Sequence, residues 1–327
     1  MRPIRTILVA IKEPMARTLP AVDKAAHLAR AFGARLQLFH AVATPVFIDP
    51  IAPDLSPEEI RRRQLEHFGT RLNDIAERLR KKNVDVTTST AWDYPPHEAI
   101  IRQAARIKAG LIVAECHAGH RMAPLLMRLT DWELLKHSPV PVLLIKSRRR
   151  YERPVVLAAV DPTHANAKPT QLDAEVLQAA VAMKNALRGS LHAVHAFVPV
   201  PTDVTPAELL NPNATKKLEA RARAKARVRL EKALGKVRIR PGNRHLESDH
   251  PSHAIPRLAR KLHSDIVVMG AVSRSGLKRL LIGNTAERVV DDLECDVLVV
   301  KPREFKSRVK PERRGVHYIT APMPLSY

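Results

Sequence analysis

Two cysteines, Cys116 and Cys295, are all that 327 residues contain, which excludes a disulfide framework and fits a reducing compartment. Both lie in or beside apolar runs, where a small buried residue is the plain reading. Aromatic residues make up only 4% of the chain, so a base-stacking surface for nucleic acid has little support. No apolar run approaches the length that spans a bilayer, and the start lacks the charged, apolar and small-residue succession of a signal peptide. A cytoplasmic location is the expectation. Acidic residues are the other shortage: 33 Asp and Glu against 55 Lys and Arg leave a formal net charge of +22. That balance favours contact with polyanions, anionic lipid or acidic partners without selecting among them.

What the chain does have is a copy of itself. "PHEAIIRQAARIKAGLIVAECH" (Pro96 to His117) aligns with "PSHAIPRLARKLHSDIVVMGAV" (Pro251 to Val272) at an offset of 155 residues. The same offset carries "LTDWELLKHSPVPVLLIK" (Leu129 to Lys146) onto "NTAERVVDDLECDVLVVK" (Asn284 to Lys301) and His40 onto His195. The first strands, "TILVAI" and "VVLAAV", align at 149. One domain of about 150 residues is thus written twice. The expected organisation is a first domain over 1–147, a linker over 148–153 within "SRRRYERP", a second domain over 154–302 and a basic tail over 303–327.

Each copy alternates strand and helix. Runs such as "VVLAAV", "DIVVMG" and "DVLVV" suit strands buried on both faces of a parallel sheet, and the segments between them have helical spacing. The fold class is therefore α/β, with two tandem doubly wound parallel sheets whose ligands bind beyond the carboxyl ends of the strands. Residues 46–57 and 199–212 read as proline-rich loops, and 303–327 as a partly ordered tail without periodicity.

The phrases "AAVDP", "HAF", "MGAVSRSG" with "IGNTAERVV", and "CDVLVVK" resemble the universal stress protein family, with the likeness covering about residues 2–302. The resemblance implies Rossmann-like or flavodoxin-like domains that form an internal pseudo-dimer. It also implies a nucleotide motif, G-x2-G-x9-G-[ST], which falls on Gly270, Ser273, Gly283 and Asn284. Two of those four positions match. Ser273 replaces the middle glycine, Gly276 offers a substitute for the turn, and Asn284 with Thr285 opens the following helix, where Asn is a capping residue. Asp161 matches the family's acidic residue after the first strand, and Ala196 falls where a backbone contact to the base is made. Two readings stand: a cradle for ATP with Mg²⁺, or a loop kept for strand-to-helix geometry, which glycine commonly serves. In the first copy the corresponding residues are Lys12, Glu115, Ala118, Arg128 and Leu129. A carboxylate on the phosphate path and two missing glycines oppose a triphosphate there.

Other constellations are weaker. "ECHAGH" gathers Cys116, His117 and His120, which are metal-ligand residue types, but lacks a second cluster of recognised spacing, so a polar loop is favoured and no metal is assigned. His40 and His195, equivalent at strand ends, read as structural histidines. In Lys216 to Arg240 eleven Lys or Arg accompany two Glu. Leu218, Ala222, Ala226, Leu230 and Leu234 form a narrow apolar stripe on this helix. Arg221, Arg223, Arg227 and Arg229 lie off that stripe as a candidate polyanion contact.

The expectation is a stress-resistance or regulatory module, non-catalytic or nucleotide-responsive. A weak ATPase in the second domain and a basic nucleic-acid or membrane-surface binder are the alternatives. No acid/base pair or nucleophile triad is apparent, so no robust catalysis is expected. A monomer is expected, the two copies pairing internally, with further association open.

Overall fold

Strands without a polar face must be covered by helices on both sides, and this requirement organises the whole chain. The structure is a computed structural model describing residues 3–43, 46–48, 56–116, 125–162, 172–198, 212–271, 284–315 and 318–320. These residues divide into two compact units, an N-terminal one from within 3–142 together with 306–320, and a C-terminal one from within 143–305.

The N-terminal unit runs β1 (Thr6–Ala10), α1 (Pro20–Phe32), β2 (Arg35–Val42), β3 (Val46–Ile48), α2 (Pro57–Arg80), β4 (Val86–Trp92), α3 (Pro96–Arg106), β5 (Leu111–Glu115) and α4 (Leu125–His137). It leads into β6 (Val142–Ile145). Its sheet order is β4-β2-β1-β5, all parallel. Ile7, Leu8, Val9 and Leu111 to Ala114 are fully buried. The long helix α2 starts with a capping box in which Ser56 and Glu59 satisfy each other's backbone N–H groups. Its charged remainder buries only Leu72, Ile75, Ala76 and Leu79.

The C-terminal unit repeats the plan with β7 (Val155–Ala159), α5 (Leu172–Ala186), β8 (Ser190–Phe197), α6 (Pro212–Leu234), β9 (Arg244–Ser248), α7 (Pro251–Lys261), β10 (Ile266–Gly270), α8 (Asn284–Asp292) and β11 (Asp296–Val300). Its parallel order is β9-β8-β7-β10-β11. Counted within the repeat this is 3-2-1-4-5, the Rossmann order. The order reverses between β7 and β10, and a crevice opens at such a reversal.

Val46–Ile48 departs from its loop expectation, and the partly ordered tail gains specific contacts. Val46–Ile48, inside a stretch read as loop, forms a parallel pair with β12 (Tyr318–Thr320), inside the stretch read as tail. The tail also carries polar contacts to the N-terminal unit. Arg314 donates its backbone N–H to Asp93 at 3.1 Å and sets its guanidinium 2.7 Å from Glu98, while Arg102 donates to the Lys310 carbonyl at 3.3 Å. Hydrogen bonds to scattered carboxylates and carbonyls leave no periodic trace, so pattern reading passed over them.

Candidate nucleotide site

In the C-terminal unit, Asp161 and Gly270 lie at the ends of two neighbouring strands at the order reversal. Met269 is in register with Ala159, so Gly270 ends β10 level with the end of β7, and Asp161 follows just beyond. Asp173 in the first turn of α5 accepts the Asp161 backbone N–H at 3.1 Å and holds the turn. Sequence reading missed Asp173, although an acidic residue in the first turn of a helix is a recognisable signal. Val160 donates to the Val194 carbonyl at 3.0 Å, tying this turn to β8.

His195 is completely buried on β8. Burial lowers its pKa, opposed by the Asp161 carboxylate, a hydrogen bond with the Val160 backbone and Asp173, and assisted by Arg229. The ring thus bridges the end of β8 and the turn after β7 through its hydrogen bond with the Val160 backbone. Ala196 follows on the same strand, in register with Glu247 of β9.

A Cβ at Gly270 would lie 2.6 Å from Leu172 Cδ2 and 2.8 Å from its Cγ. Packing on Leu172 therefore already accounts for glycine at this position. Asn284 and Thr285 lie in the first turn of α8, whose leading N–H groups lack intrahelical acceptors and favour negative charge. Ser273, Gly276 and Gly283 lie outside the described residues.

The N-terminal counterpart has a different charge. Lys12 occupies the position of Asp161 and pairs with Asp131, a buried carboxylate on α4. Glu115 ends β5 where Gly270 ends β10. Beside them a cavity of about 750 Å³ is lined by Ile11, Lys12, Phe39, His40, Phe68 and Ile100, among others. His40 bonds the Ile11 carbonyl through Nδ1 at 2.8 Å, and burial lowers its pKa.

The basic helix α6 behaves as its stripe predicts: Ala226, Leu230 and Leu234 are buried, while Leu218 and Ala222 are half-buried. Arg221, Arg223 and Arg227 are exposed and Arg229 is half-buried. Cys116 is buried, and burial pushes the Cys295 thiol up to about 12, far from a nucleophilic thiolate. His117 and His120 lie outside the described residues. Among the described residues no helix is long and apolar enough to cross a membrane.

Parallel strands in Rossmann order within each unit, with a turn at each strand reversal, define a tandem doubly wound α/β protein. The model of the Universal stress protein family matches residues 3–146 and again 155–301, and the chain belongs to that family. It is 29% identical over 311 residues to Universal stress protein E of Salmonella typhi, covering 93% of this chain and 96% of that one. It is also similar to the crystal structure of a universal stress protein from Pseudomonas aeruginosa UCBPP-PA14, at a TM-score of 0.68, 29% identity and coverage of 92% and 94%. A universal stress protein from Archaeoglobus fulgidus shares the fold at a TM-score of 0.60 and 15% identity, over 92% of this chain and 99% of that one.

Proposed function

We propose that this protein is a stress-resistance or regulatory module whose C-terminal repeat takes up an adenine nucleotide, with Asp161, the backbone at Ala196 and the first turn of α8 as its contacts. The observation that carries this reading is the meeting of Asp161 and Gly270 at the β7/β10 reversal, where an open α/β sheet offers its ligand crevice. Lys12 and Glu115 stand at the same two positions of the N-terminal unit, so the asymmetry supports one nucleotide per chain rather than two. The ligand-stripped protein, titrated calorimetrically with ATP and Mg²⁺, is expected to show saturable binding. Gly283→Glu should abolish it, and Asp161→Ala should weaken it about tenfold or more through loss of a charged hydrogen bond. Absence of binding at millimolar ATP overturns the reading. Slow Mg²⁺-dependent hydrolysis lost in the same variants would extend it to a weak ATPase.

A second reading rests on α6, which packs through one stripe and turns Arg221, Arg223 and Arg227 to solvent. Such a face suits phosphate contacts on nucleic acid or anionic lipid. Its affinity should fall steeply with salt and weaken on charge reversal at Arg221, Arg223, Arg227 and Arg229. An affinity indifferent to both sinks it.

A further inference from the structure

Away from the strand reversal, three side chains of metal-ligand type converge in the N-terminal unit. His97 stands in the first turn of α3, and Glu133 and His137 stand one turn apart on α4. Their ligand atoms all lie within 4.8 Å of one another. His137 Nε2 is 3.1 Å from Glu133 Oε2, and the rings of His97 and His137 stack with centroids 5.7 Å apart. Bonds of about 2.0–2.1 Å in a tetrahedral set space neighbouring ligand atoms about 3.3 Å apart, so small side-chain rotations close the set. We propose that His97, Glu133 and His137 bind a divalent transition-metal ion of the zinc class.

Three further observations bear on this. The second repeat has the same helices but carries Ser252, Arg288 and Asp292 at the corresponding positions. The fold therefore does not require these ligand types, and a purely architectural role would be expected to recur in both copies. Next, His137 Nδ1 is shielded from solvent and has no hydrogen-bond partner among the described residues. A buried ring nitrogen left unpartnered is costly, which makes the ring's present arrangement an incomplete one. Finally, His137 and Lys136 end α4, where the helix dipole favours positive charge. Two imidazoles and one carboxylate suit zinc and its neighbours better than calcium or magnesium, which prefer all-oxygen ligand sets. Lys136 pairs with Glu133 Oε1 at 2.7 Å while Glu133 Oε2 faces His137, and Arg314 pairs with Glu98 beside His97, so a bound ion would compete with Lys136 for one carboxylate oxygen only.

The test is titration of the tag-free, chelator-stripped full chain with Zn²⁺ against a competing chromophoric chelator. One ion per chain is expected. Loss even of groups that merely support a ligand costs about 10–100-fold in metal affinity, so His97→Gln, His137→Ala and Glu133→Gln should each weaken binding at least tenfold. His192→Gln should leave it unchanged, although His192 Nδ1 lies 3.0 Å from His245 Nε2 and forms the competing imidazole pair. Co²⁺ should give visible absorption bands that vanish in the His97→Gln chain. No saturable binding in the micromolar range overturns the proposal, as does retention of binding in a His97→Gln/His137→Ala chain. Should the histidine variants fail to fold, Glu133→Gln decides, since it preserves volume while removing the anionic ligand. Unchanged Zn²⁺ affinity in that chain overturns the proposal.

Discussion

The hydroxyl of Tyr151 donates to the carboxylate of Asp296, and both residues are buried within the C-terminal unit. The other carboxylate oxygen of Asp296 accepts the backbone N–H groups of Lys146 at 2.9 Å and Ser147 at 3.0 Å. The stretch 147–154, which reads as a charged linker, is thus held by a buried carboxylate. Hydrogen bonds to charged groups are each worth about 1.5–3 kcal/mol. Tyr151→Phe is expected to lower unfolding free energy within that range, and Asp296→Ala to lower it more. Urea unfolding checks this through a shift in midpoint with an unchanged slope; equal stability in both variants would mean that the contact contributes nothing.

Gly270 is tied to Leu172 by close packing. Gly270→Ala should cost about 1–3 kcal/mol through overpacking, and clearly less when introduced into a Leu172→Ala background. A double-mutant cycle measures the difference. Additivity would show that the added methyl group is accommodated elsewhere.

The buried histidines His40 and His195 tie stability to pH. Burial lowers both pKa values from the ordinary 6.5, so the unfolded chain takes up protons that the fold excludes. Their contribution is complete above pH 6.5 and is lost as pH falls from there toward the folded values, by at most about 1.4 kcal/mol per pH unit for each proton. Denaturant midpoints recorded across this range should fall on acidification. His40→Gln and His195→Gln should each flatten the dependence, and a profile of unchanged steepness would contradict the assignment.

The returning tail makes a prediction of its own. A chain ending at Phe305 loses the Arg314 contacts to Asp93 and Glu98 and the partner strand of β3. Asp93 is buried and keeps only its ion pair with Arg102 among these contacts. Leaving buried acceptors short costs about 1–3 kcal/mol, so thermal unfolding should begin at a lower temperature. Restoring the basic residues in scrambled order should fail to rescue it.

Local features were legible from the residues themselves. Val, Ile, Leu and Ala runs with no polar alternation fit only strands covered on both faces, so alternation with helical segments determined two parallel α/β repeats. The stripe Leu218, Ala222, Ala226, Leu230 and Leu234 marked the packed side of α6 in the same way, because burial on a helix has a period. Asp161, Ala196 and Gly270 stood out only because the phrases around them resemble the family's motif; no periodicity in the chain marks them. Tertiary structure alone decided which distant groups meet. Asp296 reaches back to Lys146, Ser147 and Tyr151, Arg314 finds Glu98, and His97 approaches Glu133 and His137, although neither helix announces the other. Such encounters follow from how helices and returning segments dock, and a hydrogen bond or ligand set between them imposes no repeating pattern on the sequence.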